Sequence, residues 1–79
     1  MTMHALFHRI NKPDLCCAAP RDAPMPAFLR KPGWEFVQVF DENDPPPGFN
    51  ADAARYSVQL QGFYVFHAFS LLRDRYNRQ

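Results

Sequence analysis

Apolar and polar positions change rhythm several times along this chain. Residues 2–10, Thr-Met-His-Ala-Leu-Phe-His-Arg-Ile, alternate loosely. His4, Leu6, His8 and Ile10 would share one strand face, and Met3, Ala5 and Phe7 the other. This predicts a short strand; a helical turn stacking His4 on His8 is the competitor. Residues 11–33 show no period and hold Pro13, Pro20, Pro24, Pro26 and Pro32. Each proline removes a backbone donor and biases its predecessor toward extended geometry. An irregular segment wrapped over the surface is expected there, anchored by Leu15, Met25, Phe28 and Leu29. Lys31-Pro32-Gly33 signals a turn. Trp34 to Phe40 is the best strand, rich in β-formers and bounded by turns. The acidic, proline-rich block Asp41 to Gly48 then cuts the chain in two.

Beyond that block the period becomes helical. Asn50 suits an N-cap, Asp52 the first turn, and Phe49 a hydrophobic staple onto Ala54. Arg73, Arg75 and Arg78 would complement the dipole at the far end. On a helical wheel Ala54, Val58, Val65, Phe69, Leu72 and Tyr76 form one stripe. Tyr56, Leu60, Phe63, Tyr64 and Leu71 fall on roughly the opposite side, with His67 among them. A continuous helix over 50–77 would run ~40 Å at 1.5 Å per residue. A domain of this size has a radius of gyration of only ~12 Å. The competing arrangement breaks at Gly62, a weak helix residue, with residues 56–61 as a strand beside 34–40 and a shorter helix after it.

The expected architecture is α+β. A small two- or three-stranded antiparallel sheet packs against one long C-terminal helix, with a proline-rich irregular wrap. The 79 residues fit a single small domain: strand 1–10, irregular segment 11–33, strand 34–40, loop 41–49 and helix 50–77. Eight Phe, three Tyr and one Trp supply large buried area for so small a core. A formal charge of +1 offers no global field toward nucleic acid. No secretory leader pattern opens the chain, and the apolar run Phe63 to Leu72 is too short to span a bilayer. A reducing, cytoplasmic setting without membrane contact is therefore expected.

Candidate chemistry changes this picture little. His4, His8, Cys16, Cys17 and His67 match no standard zinc spacing, so no metal site is expected. Adjacent Cys16 and Cys17 rarely bridge each other. No elbow, glycine-rich loop or ordered triad surrounds a Cys–His pair, and three glycines are few for a phosphate cradle. Asp41, Glu42, Asp44 and Asp52 lack the spacing of a calcium loop. No cofactor and no enzymatic activity are expected.

What remains is recognition. Both apolar stripes of the helix need cover, and so short a chain has difficulty covering both. The expected function is a non-enzymatic interaction module that binds stoichiometrically to a larger protein or complex, a nucleoprotein included; a homodimer is a further expectation. Its contact residues would be Tyr56, Leu60, Phe63, Tyr64 and His67, with Asp41, Glu42 and Asp44 as a charged rim. In size and in lacking enzymatic motifs the chain resembles the phage-encoded inhibitors called anti-CRISPR proteins, a likeness that no residue pattern carries. The alternative is a small nucleic-acid-binding module using Arg30, Lys31, Trp34, Arg73, Arg75 and Arg78, since aromatics among cations stack bases and hold phosphates.

Overall fold

A computed structural model describes residues 2–68. Four strands and one helix follow one another as β1 (Met3–Arg9), β2 (Lys12–Pro20), β3 (Trp34–Asp41), α1 (Ala51–Gln61) and β4 (Tyr64–His67), with a 3-10 turn at Ala27–Arg30 between β2 and β3. The strands form one antiparallel sheet in the order β3-β1-β2-β4. The α+β class thus stands, with more strands and a shorter helix than expected.

The largest correction concerns residues 12–20, expected as irregular wrap. They form a central strand, paired with β1 on one side and β4 on the other. The two prolines fit because of where they sit. Pairing to β1 jumps from Cys16 to Lys12, so Pro13 lies in a bulged stretch, and Pro20 is the last strand residue. Between them Cys16, Cys17, Ala18 and Ala19 are all buried. A strand covered on both faces has no reason to alternate.

The second correction concerns the expected helix over 50–77. Helix α1 stops at Gly62, which takes the left-handed conformation (φ +90°) and whose N–H donates to the Val58 carbonyl at 2.8 Å. Residues 64–67 then extend as an edge strand. The break falls at Gly62, as the competing arrangement requires, but with the order of elements reversed: helix before, strand after. The physical reason lies in Tyr64-Val65-Phe66. Paired as a strand with Ala18, Cys17 and Cys16, they place Phe66 in the core.

Each face of the sheet has its own core. Leu6, Cys16, Ala18, Phe40 and Phe66 fill one, covered by the chain running from β3 to β4. Phe49 is its hub, with its ring 5.1 to 5.6 Å from those of Phe40, His4, Tyr64 and Phe66. Phe7, Cys17, Ala19 and Leu29 fill the other, with Phe28, Trp34 and Phe63 packed against them. The adjacent cysteines therefore point to opposite faces, the ordinary result of strand alternation.

Candidate interaction surface

Helix α1 begins as its sequence dictates. The Asn50 Oδ1 accepts from the Ala53 N–H at 2.9 Å, satisfying one of the donors that a helix start leaves open. Its far end is tied to the next strand. Ser57 Oγ donates to the Phe63 carbonyl at 2.6 Å, and Gln61 Nε2 donates to Ser57 Oγ at 2.9 Å. These contacts hold the rotation of the helix about its axis. Ala54 is buried and Val58 half-buried on the inner side. Tyr56 and Leu60, displaced by two residues and hence by about 200°, face outward at 67% and 69% exposure. They stand at i and i+4, one above the other on the helix surface.

A charged cluster flanks this pair. Arg55 donates to Glu42 at 2.9 Å and to Asp52 at 3.1 Å. Glu42 reaches back to His4 Nε2 at 3.5 Å. The Arg55 guanidinium, with a lesser contribution from His4, holds the Glu42 carboxyl below its ordinary range. Arg55, Glu42 and His4, with Thr2, Pro20, Val58 and Gln59, line a shallow cleft of about 230 Å³. That is smaller than the usual range for a small-molecule site, about 300–1,000 Å³. His4 is buried, stacked 5.2 Å from the Phe40 ring, and its Nδ1 has no hydrogen-bond partner among the described residues.

The residues expected to form one docking face do not come together. Tyr56 and Leu60 share the outer side of α1. Phe63 lies instead against Phe28, at 4.8 Å, on the far face of the sheet. Tyr64 packs beneath Phe49, and His67 is exposed on the edge strand β4. Of the acidic rim, Glu42 meets the helix through Arg55. Asp41 accepts from the Asn43 N–H at 2.9 Å, and the Asp44 N–H donates to the Asp41 carbonyl at 2.8 Å, so both shape the turn at the end of β3. For the nucleic-acid reading, Arg30 and Lys31 are exposed, whereas the half-buried Trp34 ring is met edge-on by Phe28 and carries Arg9 at 5.5 Å. Arg73, Arg75 and Arg78 lie outside the described residues.

The cysteines are placed for packing. Cys17 is completely buried, and desolvation pushes its thiol up to about 12, against a weaker opposing effect of a hydrogen bond from the Tyr64 backbone. Cys16 is raised for the same leading reason. Neither thiol supplies a nucleophilic thiolate near neutral pH. Among the described residues no three His, Cys, Asp or Glu side chains converge as metal ligands would, and no described helix is long and apolar enough to cross a membrane.

Sequence reasoning missed one surface. Strand β3 lies at the sheet edge, and Phe36, Val37 and Val39 on it are exposed. Its apolar composition is plain in the sequence, but only the strand order shows that no other described strand pairs with its outer side. Compared with protein-family models, with curated proteins and with solved structures, the chain matches none.

Proposed function

We propose that this protein is a non-enzymatic interaction module that binds a larger protein stoichiometrically through the outer side of α1. The observation that carries the reading is the Tyr56–Leu60 pair. Two large apolar side chains stand exposed, one turn apart, on a helix whose other side is already packed on the sheet. Apolar side chains at this spacing are what a helix presents when it docks into an apolar groove, and tyrosine is enriched among such anchors. Arg55, Asp52 and Glu42 beside it give a charged rim that fixes orientation more than affinity. The protonated, buried thiols and the small cleft favour binding over catalysis. A phage- or mobile-element-encoded inhibitor is one form this reading takes, and the reading does not depend on it.

The test is Leu60→Glu. Burying a leucine contributes about 1.5–3 kcal/mol, so its loss should weaken partner binding by about 10- to 150-fold. Because Leu60 is exposed, folding stability should stay within about 0.5 kcal/mol. Affinity capture from extract of the native host, with quantitative mass spectrometry, compares the two chains. A partner held equally by wild type and Leu60→Glu refutes the assignment. The nucleic-acid reading rests on Arg30 and Lys31 beside Trp34. It predicts a retained ligand that dissociates steeply as salt is raised, where apolar docking responds weakly.

A further inference from the structure

Among the described residues nothing pairs with the outer side of β3, a surface separate from the helix. We propose that it pairs with the β3 strand of a second copy, in antiparallel register about a two-fold axis. Edge strands ordinarily carry a lysine, a proline or an inward charge that discourages pairing. Within β3 the only charged residues are Glu35, whose carboxylate meets His8 Nε2 at 2.8 Å, and the terminal Asp41. The stretch Phe36-Val37-Gln38-Val39 between them carries no charge and no proline.

The choice of a second copy follows from two features. The first is side-chain parity. Pairing to β1 passes from Leu6–Gln38 to Phe7–Phe36, so Val37 is an extra, bulged residue. The bulge reverses the alternation partway along the strand. Phe36 packs at 5.7 Å from Phe7, on the same face as Val39, which pairs with Ala5. Phe40 lies on the opposite face, with Leu6. An ordinary extended peptide alternates throughout and cannot match this edge along its whole length. A second β3 carries the same reversal. If Phe36 stands opposite Val39 of the second copy, then Trp34 stands opposite its Asp41 and Glu35 opposite its Phe40. Each of these pairs then shares a face, and the two bulges meet astride the axis.

The second feature is charge. The start of β3 is net basic, with Arg30 and Lys31 preceding it and Arg9 stacked on Trp34, against the single carboxylate of Glu35. Its end is acidic, with Asp41 and Asp44 in the turn. Eight strand residues separate the ends by about 26 Å, beyond the Debye length of about 8 Å at physiological salt. The two ends therefore do not neutralise each other within one chain. Antiparallel pairing sets each acidic end against the other copy's basic end, placing Asp41 next to the Trp34 ring on which Arg9 of the other copy is stacked, twice. Parallel pairing sets like charges together. A self-complementary patch of this kind is what a two-fold dimer requires.

The test is sedimentation equilibrium of the full chain at about 0.3 mM, a concentration that populates even a weak dimer. The expected mass is twice 9.2 kDa, falling on dilution. Val39→Lys should weaken association by at least about 10-fold, with a thermal midpoint unchanged at concentrations too dilute to hold the dimer. Asp41→Arg should do likewise, and Arg9→Asp added to it should restore the dimer. This swap decides the matter if Val39→Lys fails to fold. Outward amides of β3 should exchange more slowly at high protein concentration. A mass of one chain at 0.3 mM overturns the proposal, whether β3 then awaits a different protein or is shielded by residues 69–79. So does a dimer that survives both Val39→Lys and Asp41→Arg, or one that is lost only with Leu60→Glu or with deletion of residues 69–79.

Discussion

Gly48→Ala offers a sharp check on how the proline-rich turn meets the last strand. Gly48 has φ +93°, and a methyl group built on it would collide with the His67 carbonyl oxygen and lie 3.1 Å from the Ala68 Cα. Both are backbone atoms, so the obstruction cannot swing aside as a flexible side chain would. Gly62 supplies the control. Its φ is +90°, and a methyl group there meets nothing within 4 Å. Alanine at either site incurs about 1–2 kcal/mol for the left-handed backbone. Only Gly48→Ala adds the cost of forcing two packed segments apart, about 1–3 kcal/mol. Gly62→Ala should therefore lose about 1.5 kcal/mol and Gly48→Ala about 3.5 kcal/mol. At about 4–8 °C per kcal/mol for a domain of this size, Gly48→Ala should melt roughly 8–16 °C below Gly62→Ala. Urea unfolding and thermal melting followed by circular dichroism measure both. A difference under about 0.5 kcal/mol would mean that the 41–49 turn does not rest on β4 in solution, since only the clash distinguishes the two sites. Phe49, one residue on, would then lose its place over Phe40 and Phe66.

Two further outcomes follow from the ionisable groups. The Glu42 carboxyl is held below its ordinary range in the folded chain, chiefly by Arg55. Its contribution is thus fully present above the unfolded value near ~4.3 and lost as pH falls through the lower, folded value. The thermal midpoint of the wild type should drop across that acidic window more than that of Glu42→Gln, and parallel curves would refute the role of the Glu42–Arg55 contact. The Cys17 thiol is completely buried and pushed up to about 12. At pH 8 a thiol reagent should label it only as fast as the chain opens, so labelling should accelerate with urea; prompt labelling of the native protein contradicts its burial.

Local chemistry made several elements legible. Trp34 to Phe40 reads as a strand because β-branched and aromatic residues fit a pleated surface between turns, and β3 forms there. Alternation over residues 2–10 marks β1, with His4 and Leu6 on one face and Phe7 on the other. Asn50 marks the helix start because its side chain needs only the backbone of the next turn. The outward pair Tyr56 and Leu60, opposite Ala54, was also readable, since helical period alone sets it. These features depend on contacts a few residues apart.

Tertiary structure decided the rest. Leu15 to Ala19 is a short apolar run between two prolines, which is what a strand covered on both faces looks like, but only β1 and β4 on either side make it one. The segment after Gly62 reads as helix in both arrangements that the periodicity offers. Pairing with β2 and the cover of Phe49 settled it as β4, which carried Phe63 and Tyr64 away from Tyr56 and Leu60. The edge position of β3 among the described strands is likewise a property of strand order, and strand order is fixed by partners far apart in sequence, which no local periodicity records.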